Sequence, residues 1–173
     1  MAWDPRRAWP NQEMQMARRR LVELRELVEN LSTANQPTEQ VEQAASELSR
    51  FLVVRSVGHI EYVFETAISE YAEAHARRQV VNFLKSHLGR GNNPSPGKLV
   101  ARLGDFDHEL GSRLETFLRE DDQYLKNELS AMVDRRNDIA HGKNVGIGNA
   151  KSIKYAELAL VIGDKLIELI DPR

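Results

Sequence analysis

The sequence predicts an all-α protein, an antiparallel helical bundle of about five to six helices with no sheet. Three observations lead there. Aromatic residues make up only 6% of the chain, and the one β-branched run, Phe51-Leu-Val-Val54, sits inside a longer helical pattern. Apolar residues recur three and four positions apart over long stretches, as the buried stripe of a helix requires. Between those stretches lie short segments dense in proline, glycine and asparagine, which interrupt helices. With 173 residues, 41% of them apolar, the chain is long enough to bury a core.

Taken in order, a polar head with Pro5 and Pro10 is followed by a helix over about 11–31. Met14, Leu21, Leu24, Leu27, Val28 and Leu31 form its apolar side. Asn35-Gln-Pro37 stops it, and Pro37 suits the first turn of the next helix. The segment 38–88 holds no proline and one glycine, Gly58, with a stripe of Val53, Val57, Ile60, Phe64, Ala67, Ile68 and Tyr71. Unbroken, it would reach ~75 Å at 1.5 Å per residue, about twice the diameter of a compact domain of this size. A break is therefore expected in the apolar-poor stretch 73–79. The turn-forming segment 89–97 reads as a connector, since it lacks the Gly-Lys-Ser/Thr of a phosphate-binding loop. A short helix near 98–103, another over 106–119, a longer one over 121–141, a glycine-rich turn 142–148 and a last helix over about 152–170 complete the chain. The division expected is an N-terminal tail with an extra helix, 1–36, and a helical domain, 37–173.

Composition excludes several chemistries. Lys plus Arg number 24 against 26 Asp plus Glu, a net charge of −2, so bulk attraction to nucleic acid is absent and only a local site could bind it. No cysteine is present, which removes disulfides, thiolate zinc and a Cys nucleophile together. Of the five histidines none stands three or four residues from another, so no helical His-x-x-x-His metal pair exists, and no cofactor is expected. No apolar run approaches the roughly 18 residues that span a bilayer, and the N-terminal residues lack a signal-peptide apolar core. The expectation is a cytoplasmic protein without membrane contact.

Chemistry concentrates in Val133-Asp-Arg-Arg-Asn-Asp-Ile-Ala-His-Gly142. On a helix, Leu125, Leu129, Met132, Ile139 and Ala140 form the buried stripe, and Arg136 falls near its centre. An unpaired buried charge costs several kcal/mol, so Arg136 either meets an acid or faces a cleft or interface. Alternatively its stem packs on apolar neighbours with the head in water. Asn137 and His141 are an i, i+4 pair, and Gly142 would end the helix beside the imidazole. A histidine there is also simply a favourable charge near the helix dipole.

The string Arg136-Asn137-Asp138-Ile-Ala-His141-Gly142 resembles the Arg-(polar)-x-x-x-His signature of the HEPN superfamily, small all-α domains, and is closest to its RiboL-PSP subgroup. Arg55-Ser-Val-Gly-His-Ile-Glu61-Tyr62 is similar to that family's first long core helix, with Glu61 at the stripe edge where a partner for Arg136 would stand, or else a solvated glutamate. The resemblance covers roughly 38–170 and leaves the first helix outside. It implies a metal-independent endoribonuclease acting as a homodimer, with the motifs of two protomers converging on RNA. His141 would be general base or acid, Arg136 would hold the scissile phosphate, and Asn137 would orient phosphate or imidazole, with Asp138 and Glu61 in support. The product would be a 2′,3′-cyclic phosphate. Toxin–antitoxin, defence or RNA-processing roles go with the family, as does a possible antitoxin or effector protein partner. Independently, an imidazole suits proton transfer at neutral pH and a guanidinium offers fixed donors to phosphate. Arg135, Lys143, Arg77 and Arg78 could line a backbone groove, or be solvated helix faces. The competing reading is a HEPN module that binds RNA or a protein partner without cleaving.

Overall fold

The computed structural model describes residues 8–33, 38–89, 93–143 and 145–173. Among them are six helices and no strand: α1 (Gln12–Ser32), α2 (Glu39–His75), α3 (Arg78–His87), α4 (Pro96–Phe106), α5 (His108–Ala140) and α6 (Asn149–Leu169). The all-α expectation holds, and no described helix is long and apolar enough to cross a membrane. The long segment breaks at Ala76 and Arg77, between α2 and α3, inside the stretch its composition singled out.

Polar caps set the starts. The Asn11 side chain accepts from the Met14 amide at 2.9 Å, and Asp107 accepts from the amides of Glu109 and Leu110 at 2.9 and 3.0 Å, satisfying donors that have no intrahelical partner. Thr38 caps α2, with Pro37 outside the described residues. Pro96 occupies the first turn of α4, where its missing N–H costs nothing.

α5 contains a sharp turn. Asp121, Asp122 and Gln123 have φ of 49°, 53° and 64°, a left-handed step that L-residues adopt at a cost, though aspartate tolerates it better than most. It separates an arm over 108–119 from one over 124–140, matching the two helices expected. The first arm packs on α4 at a glycine pair. A Cβ on Gly111 would stand 2.6 Å from the Gly104 Cα, so only glycine permits that approach.

The core joins all the long helices. α1 contributes Met14, Leu21 and Val28, exactly one heptad apart and all buried, while Leu24 and Leu31 are half-buried and Leu27, 100° from Val28, is exposed. α2 buries its expected stripe, with Tyr71 half-buried, and α6 buries Tyr155, Ala156, Ala159, Ile162 and Leu166 among others. Side-chain bonds fix the directions. Asn11 to Glu70 and Tyr62 to Glu13 make α1 antiparallel to α2, whereas Ser49 to Asn149 and His75 to the Pro172 carbonyl make α6 parallel to it. Lys151 to Glu128 ties α6 to the second arm of α5, which runs the opposite way.

Candidate functional site

The second arm of α5 carries the motif to the corner where α5 turns into α6. Leu129, Met132 and Val133 are its fully buried residues, with Leu125 and Ile139 half-buried. Val133 rather than Ala140 completes the stripe: Ala140, in the last turn, has run past the core and is exposed. Arg136 is half-buried at the stripe's edge, and its Nη1 donates to the Asn137 Oδ1 at 3.2 Å. Among the described residues it has no carboxylate within 4 Å. Its guanidinium is thus aimed by an amide and keeps its charge unneutralised.

The helix then closes in a Schellman arrangement. His141 is the last residue with near-helical geometry, Gly142 adopts φ 73°, its amide donates to the Ile139 carbonyl at 3.0 Å, and the Lys143 amide donates to the Asp138 carbonyl at 3.0 Å. That closure leaves the His141 imidazole exposed five residues after Arg136. Lys143 Nζ donates to Asp138 Oδ1 at 2.7 Å, and this bond, then the charges of Lys143, Arg135 and His141, hold the Asp138 carboxyl below its ordinary pKa. Lys143 is therefore engaged with Asp138. Arg135 is close enough for its charge to act on Tyr155 of α6.

Glu61 is half-buried on α2, close enough to Arg136 of α5 to feel its charge. Burial raises its carboxyl pKa first and neighbouring Glu65 adds to this, while Arg136 and Arg102 pull it down. Glu61 and Arg136 thus share a field without forming an ion pair within 4 Å. Arg102 pairs instead with Glu65 at 3.7 Å and lies over the Phe64 ring at 4.8 Å. Arg77 and Arg78 are not brought to this corner. They follow His75, the last residue of α2, which stands about 21 Å along the axis beyond Glu61 at 1.5 Å per residue and bonds the Pro172 carbonyl.

One residue at the corner escaped the sequence reading. Arg50 of α2 donates to the Lys143 carbonyl at 3.5 Å, bridging α2 to the turn after His141. It occupies the apolar line of α2 that continues through Val53 and Val57, so the same irregularity that drew attention to Arg136 also marks Arg50. Among the described residues, no group of three or more His, Asp or Glu side chains gathers to hold a metal.

The described residues form a bundle of six helices, with Arg136, Asn137 and His141 at the end of the fifth. The RiboL-PSP-HEPN family model matches residues 18–171, nearly the whole chain, and the protein belongs to that family. The matched span takes in most of α1, which the sequence reading leaves outside the resemblance. HEPN domains include ribonucleases and RNA-binding members. No curated protein and no solved structure matches the chain.

Proposed function

We propose that the protein is a metal-independent endoribonuclease, with its active site composed from two protomers. The observation that carries this reading is the combination of a half-buried, un-neutralised Arg136, oriented by Asn137, with an exposed imidazole five residues further on at a closed helix end. His141 of one protomer takes the proton of a ribose 2′-hydroxyl as its oxygen attacks the adjacent phosphorus. The P–O5′ bond breaks, and the partner's His141 protonates the departing 5′-oxygen, leaving a 2′,3′-cyclic phosphate and a 5′-hydroxyl. One imidazole cannot conveniently serve both sides of an in-line displacement, which is the reason for the dimer. Arg136 holds the non-bridging oxygens and the charge that develops on them. Asp138 fixes Lys143 and the turn, Glu61 adds negative charge behind Arg136, and Arg135 and Lys143 lie nearest to a bound RNA strand. Arg77 and Arg78 would meet only a long one. Growth inhibition on expression, relieved by an antitoxin partner, fits the same reading, as does a defence role.

The test is incubation of purified protein with tRNA and mRNA in EDTA, mapping the new ends. Cyclic phosphate ends produced by the wild type and lost in His141→Ala support the assignment. Equal cleavage by the variant overturns it, and RNA binding without cleavage by either protein selects the non-catalytic module. A monomer at high concentration in sedimentation rules out the composite site.

A further inference from the structure

A second candidate site lies between α1 and α2, on residues that the proposed cleavage does not use. It is a cleft of about 620 Å³ whose lining includes Glu13, Arg20, Arg55, Gly58, His59 and Tyr62. Because the two helices are antiparallel, its ends differ. The Tyr62 hydroxyl donates to Glu13 Oε2 at 3.3 Å and marks one end. Arg20 is seven residues along α1 from Glu13, and Arg55 is seven residues back along α2 from Tyr62, so both arginines mark the other end, about 10 Å away.

Neither arginine has a carboxylate within 4 Å among the described residues. Their neighbours Arg18 and Arg25 on α1 both do, with Asp164 at 3.1 Å and Glu157 at 3.8 Å. Between the ends the floor is open, since a Cβ on Gly58 would meet nothing within 4 Å. Next to it His59 lines the cleft while only 7% exposed, and its Nδ1 is buried without a hydrogen-bond partner. Buried polar nitrogens without partners are rare in folded proteins, and this one belongs to a residue that lines the cleft.

The chemistry of the two ends is complementary to one class of molecule. Two unpaired guanidiniums suit phosphoryl oxygens. The half-exposed Tyr62 ring and the exposed Met16 thioether offer a flat, polarisable surface, and Glu13 accepts from an amino or hydroxyl group. We infer that this cleft binds a nucleoside phosphate, with the phosphoryl group between Arg20 and Arg55 and the base against Tyr62 and Met16, its amino edge toward Glu13. A free nucleotide and the 5′-phosphorylated end of an RNA chain share this chemistry.

Titration calorimetry with each of the four ribonucleoside 5′-monophosphates, with inorganic phosphate and with adenosine tests the site. At least one monophosphate should bind saturably, with phosphate and adenosine each about tenfold weaker or more. Arg55→Gln, at an exposed position, and Gly58→Leu, whose Cβ would meet nothing within 4 Å, should each weaken that binding by about tenfold or more. His141→Ala should leave it unchanged, so the result is independent of cleavage. The His59 ring resonances should shift on binding in both the wild type and His141→Ala. Competition by a short 5′-phosphorylated RNA, but not by its 5′-hydroxyl counterpart, assigns the site to a chain end, and absence of competition assigns it to a free nucleotide. No saturable binding of any monophosphate at millimolar concentration, or binding that Gly58→Leu leaves intact, overturns the proposal.

Discussion

His141 and His59 occupy opposite environments in the same bundle. His141 stands exposed at a glycine-closed helix end, with Arg136 five residues before it and the Lys143–Asp138 pair close in sequence. His59 lies in mid-helix, wedged where α2 meets α1 and α6, so close to α6 that a Cβ on Gly163 would stand 3.0 Å from its Nε2. Burial dominates its titration, lowering its pKa to about 4, with Asp164 of α6 opposing and Arg18 of α1 and Arg55 of its own helix reinforcing that shift. The contrast shows why a histidine's identity says little by itself. Proton transfer needs an imidazole that solvent and substrate can reach, and of these two rings His141 is the exposed one.

The sharpest way to break the contrast is to remove each ring in turn. His141→Ala should reduce RNA cleavage by about 10²- to 10⁴-fold while shifting the urea midpoint little, because an exposed side chain contributes little to stability. A large loss of stability in that variant would mean that His141 is structural.

His59 should dominate the acid limb instead. Folded, it gains its proton near pH 4; unfolded, near 6.5. Between those values the unfolded chain holds the additional proton, so the contribution is complete above about pH 6.5 and falls away as pH drops toward 4, by about 3 kcal/mol in all. His59→Leu, which removes the unpaired nitrogen at similar volume, should flatten urea-derived stability across that window. An unchanged slope would place the acid sensitivity elsewhere.

Smaller effects follow from the two glycines. Gly163→Ala pushes on the His59 ring, and the crowding outweighs the gain in helix propensity, for a net loss of about 1 kcal/mol by thermal melting. That loss should vanish in the His59→Ala background, and persistence there would place the clash on other atoms. Gly142→Ala should cost about 0.5–1 kcal/mol, since φ of 73° disfavours a Cβ, and should lower cleavage by loosening the His141 turn. Unaltered cleavage would show that the turn does not position the ring.

Much of this was legible in the sequence because it is local. The stripe from Val53 to Ile68, the break at 76–77, the interruption near 120 and the glycine stop after His141 depend on spacing and turn chemistry within a few residues. The motif was legible for the same reason, its parts lying within six positions. Arg50 was not, because its meeting with the Lys143 carbonyl joins residues 93 positions apart. Leu27 and Ala140 were misplaced for a related reason. A helix pattern gives a face, but not how wide a face the neighbours cover or where along the helix they stop.

By itself, then, the sequence determined the helices and the bundle class, consequences of periodicity and turn chemistry at short range, and it carries the Arg136-Asn137-His141 string. Tertiary structure decided which charges remain unneutralised. It kept Arg136 near Glu61 without an ion pair, sent Arg77 and Arg78 to the far end of α2, and placed Arg20, Arg55 and His59 around one cleft. Those outcomes depend on helix direction and on contacts between distant segments, which the packing of the whole core sets and no local pattern encodes.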